Sequence, residues 1–272
     1  MSEQRTILIT GATDGLGRAL ASGLAADGDR LLLHGRDQAR LEAAADEIAA
    51  ETGGARPLTV VAEFADLAQV RAMTGRVLEL TNRLDALVSN AGIGSGAPAS
   101  RGRAVSANGY ELRFAVNYLA GFVLTLGLLP LLRATGGARV VNVASLGQAP
   151  IDFDDVMIEK GYSGSRAYGQ SKLAQITSGF TLAGLLPAAE VTVNSLHPAT
   201  YMPTKMVLQE VGHSIDTLAR GESATRRLVS DPALAGVTGR YFNGLREGDV
   251  DAQAHDPEAR ERLWELSERL VA

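Results

Sequence analysis

Short apolar runs alternate along the chain with longer segments in which apolar residues recur every three to four positions. The short runs predict buried strands and the longer segments predict helices. The predicted strands cover residues 6–10, 30–34, 57–61, 84–88, 139–143, 191–196 and 239–242. The predicted helices cover residues 18–27, 38–51, 66–81, 111–133, 165–186 and 257–270, and a polar loop with a further helix is expected within 199–230.

This alternation predicts the architecture. Strands that alternate with helices form a parallel sheet with right-handed crossovers and helices on both faces. No linker, low-complexity stretch or repeat divides the 272 residues, and this length is sufficient for one large α/β domain. We therefore expect a single doubly wound α/β domain over residues 1–272.

Composition narrows the class of protein. The chain is 46% hydrophobic with 30 glycines and has a net charge of −5, which favours a packed soluble protein and argues against a nucleic-acid partner. It contains no cysteine, so disulfides and thiolate catalysis are excluded. The polar start lacks a signal-peptide pattern, and the most apolar run, residues 122–132, is shorter than a bilayer span. We expect a cytoplasmic protein without a membrane anchor or metal site.

A glycine-rich turn follows the first predicted strand. Gly11, Gly15 and Gly17 have the spacing Gly-x-x-x-Gly-x-Gly. Glycines at such a turn let the backbone approach a pyrophosphate, which then lies at a helix N-terminus. The spacing is one residue longer than the common dinucleotide motif, so by itself it favours a tight turn without a ligand about as strongly.

The end of the second predicted strand bears on the choice of cofactor. An acid there would bind the ribose 2′-hydroxyl of NAD, whereas an arginine favours the 2′-phosphate of NADP. The chain has Gly35-Arg36, with Arg40 one helical turn later. Space at Gly35 and a planar guanidinium suit a phosphate. We expect NADP(H) to be preferred over NAD(H), although Asp37 could pair with either arginine and a solvated arginine is the structural alternative.

A phenol and an amine lie four residues apart at Tyr168 and Lys172, in the predicted helix 165–186. Residues at this spacing share a helix face. An ammonium beside a phenol favours the phenolate, which makes the phenol a better acid–base group. Most such pairs in proteins are ordinary surface neighbours, so this spacing alone is a weak indication.

Five motifs together resemble the short-chain dehydrogenase/reductase family over nearly the whole chain. They are residues 10–17, Asn90-Ala91-Gly92, Asn117, Ser145 and Tyr168-x-x-x-Lys172. Residues 108–119, 151–155, 239–242 and 263–267 resemble its retinol-dehydrogenase-like subgroup, which also has a long insertion between the serine and the tyrosine. The resemblance implies a Rossmann-type, NAD(P)-binding domain.

The resemblance also implies residue roles. Tyr168 would be the general acid in reduction and the base in oxidation, and Ser145 would donate a hydrogen bond to the substrate oxygen. Lys172 would lower the pKa of Tyr168 and bind the nicotinamide ribose, and Asn117 would hold a water that relays protons to Lys172. The positions expected to contact the cofactor are Gly11, Thr13, Asp14, Gly15, Leu16, Gly17, Arg36, Arg40, Glu63, Phe64, Asn90, Ala91, Gly92, Tyr168, Lys172 and Pro198.

Three positions depart from the family pattern. Glu63-Phe64 stands where Asp-Leu usually contacts the adenine, and Ser89 replaces the first of two asparagines. The longer Glu63 side chain is expected to shift that contact, whereas the backbone contact of Phe64 can survive. Ala199 follows Pro198 where glycine is usual, which alters the local turn.

The expected function is NADPH-linked reduction of a ketone or aldehyde, or the reverse oxidation of an alcohol, on a small-molecule substrate. Alternatives are a sugar-nucleotide epimerase or dehydratase and a non-catalytic nucleotide-sensing protein. A homodimer or homotetramer is expected through the helices 111–133 and 165–186. Residues 147–164 and 199–227 are expected to shape the pocket; the apolar residues of the second segment could form its wall or a helix's core face.

Overall fold

One mixed sheet organises the fold. The structure, a computed structural model, describes residues 4–96 and 102–272, so residues 97–101 of the predicted loop lie outside it. The strand order is β3-β2-β1-β4-β5-β6-β7-β8. The strands are β1 (Thr6–Ile9), β2 (Arg30–Gly35), β3 (Leu58–Val61), β4 (Ala86–Ser89), β5 (Ala138–Val143), β6 (Val191–His197), β7 (Tyr241–Asn243) and β8 (Arg246–Glu247).

Helices cover both faces of this sheet. They are α1 (Gly15–Ala26), α2 (Gln38–Thr52), α3 (Leu67–Leu80), α4 (Phe114–Thr135), α5 (Gly164–Leu185), α6 (Lys205–Glu210), α7 (Leu218–Ser230) and α8 (Pro257–Val271). The first seven strands pair in parallel, which confirms the predicted doubly wound α/β fold.

The two faces of the central strands bury side chains in two separate cores. Ile7 and Ile9 of β1 lie in a core with α1, α2 and α7, whereas Leu8 lies in the other core with α3, α4, α5 and α8. Successive side chains on a strand point to opposite faces, so a strand buried on both sides must be apolar throughout. This explains the unbroken apolar runs in the sequence.

The predicted elements differ from the observed ones mainly near the C-terminal end of the sheet. Strand β7 begins two residues later than expected, and β8 pairs with it antiparallel. Strand β8 has only two residues, both exposed, so no hydrophobic pattern marks it. The predicted loop and helix within 199–230 form two helices, α6 and α7.

Helix α4 begins with a π-helical segment, Phe114–Leu119. Pro130 lies inside the helix. The helix is long and apolar enough to cross a bilayer, but 72% of its most apolar stretch is buried in the fold. Packing in the core therefore accounts for its composition.

Helix α8 packs across the face formed by α4 and α5. The ring of Trp264 contacts Phe122 edge-on, with 5.1 Å between centroids. The Tyr118 hydroxyl lies 2.5 Å from Ser267 Oγ, and Leu263 is fully buried. The chain's own last helix thus packs against part of the two helices expected to carry an oligomer interface.

Candidate active site

The carboxyl ends of β1, β4, β5 and β6 open into one cavity of about 930 Å³. The sheet order reverses direction between β1 and β4, and ligands of open α/β sheets bind at such a point. Fifteen of the sixteen predicted cofactor positions line this cavity, together with Ser145. They are Gly11, Thr13, Asp14, Gly15, Leu16, Arg36, Arg40, Glu63, Phe64, Asn90, Ala91, Gly92, Tyr168, Lys172 and Pro198. Gly17 and Asn117 lie behind its wall.

The glycine turn forms one end of the cavity. Gly11 has a φ of +67° and Gly15 a φ of +54°, a left-handed region that favours glycine. A Cβ on Gly11 would come within 2.8 Å of Ala91 Cα, and one on Gly17 would collide with the Gly11 carbonyl oxygen. The side chain of Asp14 caps α1 by accepting from Gly15 N at 2.7 Å. The turn therefore presents bare backbone to the cavity.

Thr10 and Asn90 join the ends of β1 and β4. Thr10 Oγ1 accepts hydrogen bonds from the backbone N–H groups of Asn90 and Ala91, both at 2.9 Å. In return, Asn90 Nδ2 donates to the carbonyl oxygens of Thr10 and Gly11 at 2.8 and 3.1 Å. These bonds fix the backbone beside the glycine turn.

A histidine that the sequence did not single out supports the adenine-side wall. His34 stacks on Phe64, with ring centroids 4.2 Å apart. Its Nε2 lies 3.0 Å from the Ala62 carbonyl oxygen, and its Nδ1 accepts from Gly11 N at 3.3 Å. Burial lowers the pKa of His34 to about 4, so the ring is neutral and joins β2, β3 and the turn.

The two arginines expected to bind a phosphate have carboxylate partners. Arg36 Nη1 lies 3.8 Å from Glu63 Oε2, and Arg40 Nη2 lies 3.5 Å from Asp14 Oδ2. Asp37 instead caps α2 by accepting from Arg40 N. Asp37 was expected to pair with one of these guanidinium groups. In the structure, Glu63 and Asp14 form these ion pairs instead. Arg36 remains 73% exposed.

Ser145, Tyr168 and Lys172 meet at the other end of the cavity. Ser145 follows β5, and the other two lie on α5, with Lys172 Nζ 6.0 Å from the centroid of the Tyr168 ring. Burial raises the pKa of the Tyr168 phenol, and a hydrogen bond with Ser145 partly opposes that rise. The direction is opposite to the expected lowering by Lys172.

Lys172 is held by neutral acceptors. Its Nζ donates to the Val143 carbonyl oxygen at 2.8 Å and to Gln175 Oε1 at 3.3 Å. Burial lowers the pKa of Lys172 to about 8, because removal from water disfavours the charged form. The sequence analysis did not include Gln175 among the site residues. A glutamine in a helix that is buried on nearly every side is nevertheless unusual, and this signal could have identified it.

Asn117 lies in the π-helical segment of α4, a feature found often at functional sites. Its Oδ1 accepts from Ile93 N at 2.7 Å, and its Nδ2 donates to Ile93 O at 3.0 Å and to Ser171 Oγ at 2.9 Å. The side-chain amide thus ties the segment after β4 to α5. The water relay implied by the resemblance stays a prediction.

Residues 147–164 and 199–227, the two segments expected to shape the pocket, differ in their contacts. In the first, Gln170 anchors the insertion by accepting from Asp152 N and donating to Val156 O. In the second, Met202 is buried against Gly221 of α7, whereas Tyr201 and Met206 are exposed, and all three line the cavity. Both open interpretations of the second segment are therefore partly correct.

Comparison with known proteins gives a consistent picture. The family model for short chain dehydrogenases matches residues 5–213. Human retinol dehydrogenase 14 is 35% identical, covering 98% of this chain and 86% of that protein, and human retinol dehydrogenase 13 is 33% identical, covering 98% and 84%.

A solved structure agrees with these sequence matches. The Pseudomonas aeruginosa RhlG/NADP active-site complex has a TM-score of 0.72 and 26% identity, covering 88% of this chain and 94% of that one. The chain therefore belongs to the short-chain dehydrogenase/reductase family, in its retinol-dehydrogenase-like group, and is an oxidoreductase of alcohol or carbonyl groups.

Proposed function

We propose that the chain is an NADPH-linked reductase of ketones or aldehydes, able to run in reverse as an alcohol dehydrogenase. One observation supports this above all: a single cavity joins the glycine turn and Arg36 to Ser145, Tyr168 and Lys172. A dinucleotide must reach both ends of such a cavity to react.

The residues present suit a dinucleotide cofactor. Gly11 and Gly17 have no room for a side chain, so the backbone can approach a pyrophosphate closely. A Cβ on Gly35 would come within 2.6 Å of Thr13 Cγ2, so glycine lets the end of β2 pack closely against the glycine turn. The exposed Arg36 guanidinium next to it can accept a 2′-phosphate. When bound, the nicotinamide ring supplies or accepts a hydride. The cofactor of the RhlG relative is NADP, in agreement with this preference.

The chain's own residues would bind the carbonyl group and supply the proton. The Ser145 hydroxyl donates a hydrogen bond to the substrate oxygen and stabilises the negative charge that develops there. The Tyr168 phenol gives its proton to the same oxygen. Because burial raises the pKa of Tyr168, the phenol is protonated near neutral pH, as a general acid for reduction must be. Lys172 provides positive charge next to the site.

The alternative functions have less support. A non-catalytic nucleotide sensor has no need of Ser145, Tyr168 and Lys172 at one end of a cavity. A sugar-nucleotide epimerase or dehydratase is less well supported because the relatives that match 98% of this chain are named retinol dehydrogenases. We further propose a cytoplasmic location. The homodimer or homotetramer stays a prediction for light scattering, and α8 would lie in any interface built on α4 and α5.

Two measurements test the proposal. Nicotinamide fluorescence should show tighter binding of NADPH than of NADH, and a carbonyl panel should show oxidation of NADPH at the nicotinamide absorbance band. Retinal belongs in that panel because the relatives are named retinol dehydrogenases. Tighter binding of NADH would contradict the assigned role of Arg36, and a panel without any turnover would contradict the reductase.

A further inference from the structure

The last residue of the short helix α6, Glu210, is bonded to the segment that follows β4. Glu210 Oε2 accepts hydrogen bonds from Ser95 N at 2.9 Å and Ser95 Oγ at 3.0 Å, and Oε1 accepts from Gly96 N at 2.9 Å. A Cβ on Gly94 would collide with the same carboxylate. Two backbone N–H groups and the Ser95 hydroxyl thus hold the carboxylate.

The other side of this segment is held by a buried arginine. Arg113 Nε donates to Gly94 O at 2.7 Å, and its Nη2 donates to Ser95 O at 2.9 Å. Arg113 is 5% exposed. Arg113 thus binds the carbonyl groups of the segment after β4, and Glu210 binds its N–H groups. Because both sides of this segment are held, the fold fixes the position of the Glu210 carboxylate.

Helix α6 runs along the cavity from its nucleotide end to its substrate end. At the first end, a Cβ on Gly15 would come within 2.9 Å of Thr204 Cγ2, so Lys205 lies near the glycine turn. At the second end, Glu210 is bonded to Ser95, two residues after Ile93, and both Glu210 and Ile93 line the cavity. The positive charge of Lys205 therefore lies at the nucleotide end of the cavity, and the negative charge of Glu210 lies at the substrate end.

Part of the cavity wall is apolar. Leu112, Val116, Leu146, Met206 and Val207 line it. Glu210 lines the same cavity as Ser145 and Tyr168. Its bonded partner Ser95 packs against Gly164, one helical turn before Tyr168, and the Glu210 charge contributes to the raised pKa of Tyr168 after the larger effect of burial. The carboxylate is thus near enough to the reacting groups to affect a charged substrate.

We propose that Glu210 is a specificity-determining residue: its carboxylate makes the pocket select neutral apolar carbonyl compounds over those that carry a carboxylate next to the carbonyl. Two negative charges in a partly shielded site repel each other, whereas a neutral substituent of the same shape is accepted. This inference rests on the proposed reductase function.

The test compares methyl benzoylformate with benzoylformate, a neutral and an anionic ketone of similar shape. The intrinsic reactivities of the two ketones differ, so the quantity to follow is the ratio of their kcat/KM values across variants. Glu210→Gln removes the charge. Glu210→Asp keeps the charge but shortens the side chain and weakens the bonds to Ser95 and Gly96. Glu261→Gln, on the exposed face of α8, is the matched control.

The wild type and Glu261→Gln should share one ratio that favours the ester. Glu210→Gln should lower this ratio by roughly tenfold, as removal of a like charge from a partly shielded site predicts, and Glu210→Asp should leave it nearly unchanged. NADPH binding, followed by fluorescence, should be the same in all four proteins, which shows that they are folded.

The outcomes separate this inference from the proposed function. A ratio that is unchanged in Glu210→Gln, or that falls equally in Glu210→Asp, would overturn the charge-based selection while the ester is still reduced. If wild-type enzyme that binds NADPH reduces neither ketone nor any member of the carbonyl panel, the reductase proposal itself fails.

Discussion

Replacing Glu63 with glutamine is expected to strengthen the binding of NADPH and to leave the binding of NADH nearly unchanged. The Glu63 carboxylate lies 3.8 Å from Arg36 Nη1, where it competes with a 2′-phosphate for the same guanidinium. The amide of a glutamine has nearly the same size but no charge. Arg36 would then be free to pair with the phosphate that NADH lacks.

The structure limits the size of this effect. The two side chains are 73% and 38% exposed, and an exposed ion pair of this kind contributes up to about 1 kcal/mol, or roughly fivefold in affinity. Arg36→Ala should act in the opposite direction. It removes a charge-assisted hydrogen bond of about 1.5–3 kcal/mol, which corresponds to NADPH binding weakened roughly 10- to 100-fold.

The assay is the titration of each variant with NADPH and with NADH, followed by nicotinamide fluorescence at one fixed salt concentration. Salt must be held constant because exposed charges are screened. Glu261→Gln serves as the control for a surface charge change far from the cavity. Parallel changes for NADPH and NADH, or NADPH binding that is unaffected by Arg36→Ala, would refute the assignment of Arg36 to the 2′-phosphate.

Two further predictions concern Lys172 and the glycine turn. Because the pKa of Lys172 is lowered to about 8, kcat/KM measured against pH should fall as the ammonium loses its proton above that value, and Lys172→Arg should remove this alkaline decline. Folding stability should change with pH in the opposite direction to kcat/KM. Because Lys172 binds fewer protons in the folded state than in the unfolded state, stability to urea should rise between about pH 8 and 10.5. Gly17→Ala should abolish NADPH binding and lower Tm, since its Cβ would collide with Gly11 O. Gly75→Ala in α3, where a Cβ meets nothing within 4 Å, should stabilise by up to about 1 kcal/mol; equal effects of the two substitutions on Tm would contradict the steric argument.

The catalytic end of the site was the part most open to sequence reasoning. Tyr168 and Lys172 share a helix, and Ser145 ends a strand, so periodicity alone brings them to defined places. The glycine turn could also be predicted locally, because the left-handed φ angles at Gly11 and Gly15 are those that glycine readily adopts. Topology then places both groups at the same edge of the sheet.

Contacts between distant segments could not be predicted in this way. Glu210 meets Ser95 across 115 positions, and α6 has only six residues, too few for a helical pattern. The two hydrogen bonds between Asn117 and the Ile93 backbone depend on a π-helical segment, which the hydrophobic periodicity of the sequence does not indicate. Burial, which depends on the whole fold, raises the pKa of Tyr168, whereas the spacing of Tyr168 and Lys172 on one helix indicates only a lowering by the neighbouring ammonium.

Tyr168→Phe tests the central claim most directly. The phenyl ring keeps the packing of the tyrosine but has no proton to give to the substrate oxygen. Steady-state reduction of a carbonyl compound by this variant should fall by roughly 10²- to 10⁴-fold, the usual contribution of a general acid, while the Kd for NADPH stays within about twofold of the wild-type value. Turnover near the wild-type rate, with the cofactor bound normally, would contradict the assignment of Tyr168 as the proton donor.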